Sequence, residues 1–547
     1  TNQAILPQKY GTGKNKVGNG VTHQRANTYQ IQADYKRLFN HVHDIQVQAY
    51  GRVITRKLEI DVAEGYNTAN DYYQTLGNTQ NEKDSWGSNL NWNYLSFGLN
   101  ADYTYNQLVR VQAGLAADAT SASGSDASRL GLFPYGKATF MAAHTGVLPT
   151  WINKLDINVG ASLTGNSRFS SNYGKNYYVS GNVFDIGSIV RSNVPNTKLS
   201  WEKKRQLDLG LDLGLLQNKI QLGVDFFTSE SDDLLLNRDI SEVYGSKMCY
   251  DNTGKISGKG MEVSLRVNPI HTKDFDLVIA ANMATVKNEV KSLGGDPSIT
   301  TSYKAFNNDD AQTIMTVGGK PYEFYGYKTN GIYATSAEAA EAGLVNANGK
   351  AYQAGDVRFV DVSGPDGTPD GVINEYDKVS LGSTMPTLFG GLNLMVRYRE
   401  WSLSANFGYT VGNKIYNATR RQLESMTDFT NQSAAVLNRW QYEGQQTSTP
   451  RAAYGDPSGN NDFSDRWIER GDYFKLRSLK LSYAFKNLFG LVRTGNVYVE
   501  GENLFSITKY LGSDPEFAYS YSESLRGFDY AKLALPATVK IGFNLNF

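Results

Sequence analysis

The chain ends in Val539-Lys540-Ile541-Gly542-Phe543-Asn544-Leu545-Asn546-Phe547. Successive side chains of a β-strand point to opposite faces, so Val539, Ile541, Phe543, Leu545 and Phe547 share one face. A strand with one apolar face that ends on a C-terminal aromatic residue is typical of the closing strand of a bacterial outer-membrane β-barrel. The stretch therefore predicts a membrane wall, and it also indicates that the natural C-terminus is intact.

Composition excludes several other classes of protein. The 547 residues carry a formal net charge of zero and only 20% charged residues, so no basic surface is expected to bind nucleic acid. The absence of any run of 18 or more apolar residues excludes transmembrane helices, but barrel strands escape that test because their apolar residues alternate. Cys249 is the single cysteine, which excludes an internal disulfide.

The aromatic content also fits a barrel. The chain has 35 Tyr, 24 Phe and 7 Trp, which suits aromatic girdles at both bilayer interfaces, and 53 Gly, which suits turns. Composition alone leaves open a large soluble β-protein, such as a propeller or a sandwich array.

Alternating segments occur in pairs throughout the chain and predict β-hairpins. For example, Leu95 to Tyr105 turns at Asn106-Gln107 into Val109 to Ala117. The pattern gives about 15 strands of roughly ten residues, the length that a tilted strand needs to cross a bilayer. Long polar connections are predicted at Arg56 to Asn93, Gly165 to Lys204, Glu230 to Lys259, Val286 to Phe389, Gly412 to Asp472 and Ser506 to Pro536.

Short and long connections alternate, as expected for an all-β transmembrane antiparallel barrel with short periplasmic turns and long external loops. An odd number of strands leaves an edge without a neighbour. Unpaired backbone groups are costly in lipid, so further strands are expected from an N-terminal segment absent from this sequence or from a second polypeptide.

Several motifs carry a resemblance to a known family. They are Asn196-Thr-Lys-Leu-Ser-Trp-Glu202, Gly355-Asp-Val-Arg-Phe359, Asp370-Gly-Val-Ile-Asn374, Asn438-Arg-Trp-Gln-Tyr-Glu-Gly444, Thr449-Pro-Arg451, Gly455-Asp-Pro457, Phe463-Ser-Asp-Arg-Trp-Ile-Glu469, Gly471-Asp-Tyr-Phe-Lys-Leu-Arg477, Asn503-Leu-Phe505 and Lys509-Tyr-Leu-Gly-Ser-Asp-Pro-Glu-Phe517. In this order they resemble the C-terminal barrel of SusC/RagA-type TonB-dependent outer-membrane transporters.

The resemblance implies a barrel of about 22 strands around an N-terminal plug, energised through TonB and lidded by a SusD-like surface lipoprotein. Residues 1–547 would form the C-terminal portion of the barrel, with a long extracellular insertion at about 286–389 and without the plug. The implied function is import of glycan or peptide oligomers across the outer membrane of a Gram-negative bacterium. The alternative is a structural barrel subunit that scaffolds surface lipoproteins or an assembly or secretion complex.

The sequence does not predict an enzyme. It contains no nucleophile elbow, phosphate-binding loop or His-Glu-x-x-His motif. No catalytic residue is assigned, and no cofactor is expected to be required.

One loop has the ligand spacing of an EF-type calcium site. Its oxygen donors are Asp366, Thr368, Asp370, the Val372 carbonyl, Asn374 and Asp377. Thr368 replaces the usual Asp or Asn, and Asp377 replaces the bidentate Glu, so modest affinity is expected. Asp356 and Asp361 lie just upstream and either add a ligand or keep the loop hydrated. The alternative is an Asp-Gly turn in a long loop.

Loop aromatics are candidates for contact with the cargo or the lid, because aromatic faces stack on the CH groups of sugars. They are Tyr322, Phe324, Tyr325, Tyr327, Trp440, Tyr442, Trp467 and Tyr473. The alternative is that these rings pack the loops together or sit in the outer girdle.

Overall fold

The computed structural model describes residues 16–66, 68, 72, 75–79, 83–176, 178–183, 186–191, 193–246, 248–303, 310–488, 490–516 and 523–547. The strands are β1 Lys16–Phe39, β2 His43–Tyr66, β3 Lys83–Tyr105, β4 Val109–Thr120, β5 Leu130–Met141, β6 Ile152–Asn166, β7 Tyr178–Val183, β8 Ile186–Arg191, β9 Glu202–Leu215, β10 Ile220–Asp239, β11 Met248–His271, β12 Phe275–Leu293, β13 Ser298–Ser302, β14 Gln312–Thr316, β15 Glu323–Gly326, β16 Thr329–Ile332, β17 Val345–Asn346, β18 Val357–Phe359, β19 Val372–Ile373, β20 Val379–Ser383, β21 Leu388–Tyr398, β22 Trp401–Val411, β23 Lys414–Asn417, β24 Ile468–Arg470, β25 Tyr473–Leu488, β26 Val492–Thr508, β27 Phe528–Asp529 and β28 Thr538–Asn546. The α-helices in these ranges are α1 Ser336–Ala342 and α2 Ala418–Glu424.

One antiparallel sheet dominates the described residues. It has 15 strands in the order β1-β2-β3-β4-β5-β6-β9-β10-β11-β12-β21-β22-β25-β26-β28, so neighbours in the sheet follow one another along the chain. The predicted all-β class and number of strands are confirmed. The turn after β3 falls at Asn106 and Gln107, both with positive φ, which matches the twist of a tight hairpin.

Three of the predicted long connections are wrong in extent. A loop was expected from Arg56 to Asn93, but β2 continues to Tyr66 and β3 begins at Lys83. A second loop was expected from Glu230 to Lys259, but β10 continues to Asp239 and β11 begins at Met248. Similarly, β12 runs to Leu293, beyond the expected start of the loop at Val286. In β2 the alternation in fact continues through Leu58, Ile60 and Val62, so that part of the strand carried a signal. Elsewhere, as at Ser231 to Asp233, polar residues interrupt the alternation and backbone hydrogen bonds alone continue the strand.

The predicted apolar face is exposed in the structure. In β3 and β4, Leu99 lies opposite Leu115, and their side chains are 54% and 45% exposed. Large apolar side chains with this exposure are not expected in water but suit contact with lipid.

The other face of the same strands is polar and internally hydrogen-bonded. Asp34, Gln48 and Asn100 are cross-strand neighbours. Gln48 donates to Asp34 at 2.9 Å, and Asn100 donates to Gln48 at 3.3 Å. Alternating apolar and polar faces are the arrangement that a barrel wall requires.

Contacts divide the chain into two compact units. The first comprises Thr1–Phe140, Val159–Leu207 and Glu230–Lys255, and the second comprises Met141–Asn158, Asp208–Ser229 and Ile256–Phe547. The second contains the small sheets β13-β14-β15-β20, β16-β18, β17-β19 and β24-β23-β27. No helix in the described ranges combines the length and apolar character needed to cross a membrane.

Candidate functional site in the loop assembly

Three long connections of the second unit pack into one body, here called the loop assembly: residues 294–387, 412–472 and 509–537. Their described residues share two buried clusters. The first joins all three connections and contains Ala311, Phe324, Tyr416, Ala418, Phe463, Trp467 and Phe528. The second contains Tyr327, Tyr333, Ala339, Tyr352, Val357, Phe359 and Ile373. Buried aromatic area therefore stabilises these loops against one another.

Local capping fixes the short helices of the loop assembly. Thr335 caps α1 by accepting a hydrogen bond from the Glu338 backbone NH, and Glu338 accepts one from the Ala334 NH. Gly343 ends α1 with φ of 63°. Asn417 caps α2 by accepting from the Arg420 NH at 2.9 Å. These caps replace hydrogen bonds that helix ends lack, so short helices persist within the loops.

A buried ion pair joins two of the connections. Arg451 Nε donates to Asp356 Oδ1 at 2.7 Å, and the Asp356 side chain is fully buried. Asn460 Nδ2 and the Gln353 NH also donate to this carboxylate, at 2.9 Å each. The pair is thus satisfied on both oxygens. The structure shows that Asp356 neither hydrates the loop nor faces the expected calcium ligands.

Arg421 makes a second buried link. Its guanidinium donates to Asp310 at 2.5 Å, to the Asn461 carbonyl at 2.8 Å and to the Tyr416 hydroxyl at 3.1 Å. These bonds connect α2 with segments from two different connections. Charged hydrogen bonds of this kind fix orientation as well as adding stability.

Asp462 lies close to this network but has no hydrogen-bond donor for its carboxylate within the described part of the chain. Burial raises the pKa of Asp462 to about 7, and the negative charges of Asp310 and Asp456 add to the effect. A carboxyl in such surroundings holds its proton near neutral pH.

Two guanidinium groups lie close to the Trp467 ring. The Arg466 and Arg420 carbons lie 4.4 and 5.3 Å from a Trp467 ring centroid. Burial lowers the pKa of Arg466 to about 10, with a further contribution from Arg420. Both cations contact the fully buried ring by cation–π interaction, which offsets part of the cost of burying them.

Hydrogen bonds between side chains and backbone within the calcium-like loop fix its conformation. Asp366 accepts from Thr368, Asp370 accepts from the Val372 NH at 2.9 Å, and the Val372 carbonyl accepts from Asn374 at 3.1 Å. Asp377 is buried and accepts from the NH groups of residues 362, 363 and 374. Over the described residues, no three acidic, His or Cys side chains converge as a metal site. The calcium site stays a prediction.

Asp361 has a structural role beside this loop. Its Oδ2 accepts from the Gly371 NH at 2.7 Å. Gly371 has φ of 82°, a conformation that favours glycine, so the Asp-Gly turn is stabilised by a carboxylate outside it.

Three of the aromatic candidates belong to the core of the loop assembly. Phe324 and Trp467 are fully buried in the first cluster, and Tyr327 is 8% exposed in the second. Their burial favours the alternative, that these rings pack the loops together, and their contact with cargo or lid stays a prediction. The sequence did not separate packing from binding here, since both use aromatic side chains.

The other five candidates retain some exposure. Tyr322, Tyr325, Trp440 and Tyr473 are half-buried, and Trp440 Nε1 donates to the Ala334 carbonyl at 3.0 Å. Tyr442 is 66% exposed. Their contact with a ligand stays a prediction.

Sequence reasoning missed a second exposed aromatic pair. Phe429 and Tyr454 are 95% and 74% exposed, with ring centroids 5.2 Å apart. Backbone bonds from Gly455 to Thr427 and from Ala453 to Met426 hold the two turns together. Composition gave no signal for this pair, because the rings are 25 residues apart in the chain.

The C-terminal strand pairs with β26 and presents the expected face. Val539, Ile541, Phe543 and Phe547 are 68 to 82% exposed, while Leu545 is half-buried. The role of this strand in barrel assembly stays a prediction.

The chain is similar to several known proteins, although no family model matches it. It is 29% identical over 449 residues to TonB-dependent receptor P3 of Formosa agariphila, covering 78% of this chain and 43% of that protein. It is 27% identical over 371 residues to TonB-dependent receptor SusC of Bacteroides thetaiotaomicron, covering 66% of this chain and 33% of SusC.

A solved structure shows the same fold. The RagAB peptide transporter structure matches with a TM-score of 0.81 at 22% identity, over 99% of this chain and 58% of the matched chain. The resemblance to SusC/RagA-type transporters is confirmed. The chain spans about half the length of the curated relatives it matches.

These likenesses also bear on location and chemistry. The chain is an outer-membrane protein, as its alternating strands predict. The named relatives are receptors and transporters, which agrees with a role other than catalysis.

Proposed function

We propose that this chain forms the C-terminal part of the wall, and the cargo-facing loops, of a TonB-dependent transporter that imports nutrient oligomers. The observation that carries the proposal is the consecutive antiparallel order of 15 strands, which matches the RagAB peptide transporter over 99% of this chain. The names of the curated relatives support the dependence on TonB.

The sheet requires additional strands for this role. Strands β1 and β28 stand at its two ends and do not pair with each other in the described structure. Open edges are costly in lipid. We therefore propose that further strands, together with a plug that contacts TonB, come from another segment of the same protein or from a second chain.

The loop assembly is the proposed surface for cargo and for a SusD-like lipoprotein. Its buried ion pairs and the first aromatic cluster fix the arrangement of the connections, while Phe429, Tyr442 and Tyr454 remain exposed. Rigid exposed aromatics bind sugar rings or peptide side chains with little loss of conformational freedom. Both glycan and peptide oligomers are consistent with this surface.

Uptake by the native bacterium tests the proposal. The full-length gene is deleted and restored, with or without Ala at Phe429, Tyr442 and Tyr454, and uptake of fluorescent oligosaccharides and peptides is measured with and without functional TonB. We expect one cargo class to require both the gene and TonB, and the triple variant to reduce its uptake while surface levels stay normal.

The same experiment addresses the scaffold alternative. Normal uptake of every oligomer after deletion, accompanied by loss of lipoproteins from the cell surface, would refute import and support a structural subunit. A matched control carries Ala at Trp151, Tyr178 and Tyr244, which are exposed aromatics outside the loop assembly, so that general loss of aromatic content can be separated from loss of the candidate surface.

A further inference from the structure

A cavity of about 710 Å³ opens on the second unit, lined by residues of the 15-stranded sheet and its turns. It is lined by parts of β6, β9 to β12, β21, β22 and β25 and by the turn after β9. Ser264 and Arg266 alternate along β11 with Leu265, which is 38% exposed on the apolar face. The cavity therefore lies on the polar face of the sheet.

Glycines leave room for this cavity. A Cβ added to Gly223 would lie 2.7 Å from Ser264 Oγ and 3.6 Å from Asp212 Oδ1, so these polar atoms border the space left by the missing side chain. Gly391 lines the same cavity, and its NH donates to Asn282 Oδ1 at 2.6 Å. A larger residue at either position would press against the cavity wall, since a Cβ on Gly391 would lie 3.1 Å from the Phe407 carbonyl oxygen.

The cations that line the cavity differ in their partners. Lys154 lies 3.4 Å from Asp156 and 3.8 Å from Asp212, and Arg477 lies 2.5 Å from Glu516. Arg266 has no acidic or hydrogen-bonding partner in the described part of the chain. The cavity thus holds one guanidinium whose charge is uncompensated, next to hydrogen-bonding side chains such as Asn282 and Ser264.

We propose that this cavity binds a carboxylate group carried by a peptide, with Arg266 as its charge partner. A guanidinium offers two parallel NH donors that match the two oxygens of a carboxylate, and neighbouring amide and hydroxyl groups can bind the peptide backbone. The ligand has two sources of the same chemistry, namely an acidic peptide from solution or an acidic side chain of the protein's own polypeptide outside these 547 residues.

Binding to the purified full-length protein tests the site without relying on transport. The probe is N-acetylated tetraglutamate, with tetraglutamine as the uncharged counterpart, measured by calorimetry in detergent. Variants are Arg266→Gln and, as a matched control, Arg399→Gln, because Arg399 lies in the β21–β22 turn outside the cavity. Planar-bilayer conductance of each variant is recorded in parallel.

The two sources give different results. If the carboxylate comes from solution, tetraglutamate binds the parent and Arg266→Gln weakens it about tenfold, the loss expected for one charged hydrogen-bonded contact. If the protein supplies its own carboxylate, the parent binds the probe weakly, and Arg266→Gln raises conductance by releasing the segment. Arg399→Gln leaves both readouts unchanged in either case.

Equal probe binding and equal conductance in Arg266→Gln and Arg399→Gln would overturn the proposal, as would equal affinity of the parent for tetraglutamate and tetraglutamine with no change of conductance in Arg266→Gln. Gly223→Ala provides a second variant that keeps the charge but places a methyl group against Ser264 Oγ in the cavity wall, and it is expected to change the same readout. Heat-modifiable migration in gels confirms that each variant has folded. Loss of TonB-dependent uptake with intact probe binding would count against the proposed function only.

Discussion

The protonated state of Asp462 makes the stability of the loop assembly depend on pH. The ordinary pKa of 3.8 rises to about 7 because the carboxyl is buried. Between these values the folded state keeps a proton that the unfolded state releases, so raising the pH lowers the free energy of unfolding by about 1.4 kcal/mol per pH unit. The proton bound to Asp462 raises the free energy of unfolding by about 4 kcal/mol at low pH. This stabilisation is lost as the pH rises towards 7, and above 7 the group no longer makes stability depend on pH.

Replacing Asp462 with Asn removes this titration while preserving the shape of the side chain. From pH 5.5 to 8.5 the parent is expected to lose about 2 kcal/mol of loop stability, and Asp462→Asn should lose little. The assay is native-state proteolysis of the full-length protein at low protease concentration, because cleavage reports the free energy of local opening when opening and closing are fast relative to cleavage. Asp428→Asn is the matched control, since Asp428 is exposed and bonds only within its own turn.

Two results would refute this reasoning. The first is a pH dependence in Asp462→Asn as steep as that of the parent, which would assign the titration to other groups such as Asp456, whose pKa burial also raises. The second is loop stability in the parent that rises with pH over this interval, because a carboxyl with a raised pKa can only produce the opposite sign.

Three further predictions concern the wall and the loops. Leu99→Arg should lower refolding stability by about 2 to 4 kcal/mol near the midplane, whereas Asn100→Arg on the polar face should change it little; equal effects would reject the assigned faces. Arg451→Met leaves Asp356 charged and buried, so the loop assembly should lose about 3 to 5 kcal/mol and become protease-sensitive while the sheet stays intact. Calcium should protect residues 365–377 from proteases in the parent but not in Asp370→Ala, and indifference of the parent to chelator would remove the proposed site.

The sheet was largely predictable because lipid imposes a pattern on the sequence. Alternating apolar residues located the hairpins, and the connection from Gly412 to Asp472 lies between β22 and β25 as expected. Where strands continue with polar faces, as at Ser231 to Asp233, the pattern carries no signal. Strand ends in water are set by pairing, which a single sequence does not display.

The loop assembly was much less predictable for a different reason. Its core depends on residues far apart in the chain, such as Asp356 with Arg451, and charged residues in a polar loop look solvated until their partners are known. The aromatic residues had the opposite problem: Trp467 and Tyr442 look alike in sequence, yet one is fully buried and the other exposed. Only tertiary contact separates an aromatic that packs from one that can bind.

The buried ion pairs of the loop assembly restrict independent movement of its loops. Buried ion pairs recover little net stability over apolar packing, but they penalise every arrangement that separates them. Asp356 with Arg451, and Asp310 with Arg421, both link connection 294–387 to connection 412–472 and therefore favour one relative placement of these two. The third connection joins them through the buried Phe528 and through β27, which pairs with β23. A surface that must present Phe429, Tyr442 and Tyr454 together to cargo or to a lipoprotein gains from that constraint. Movement during import would then be expected between this body and its partners, with its core kept intact.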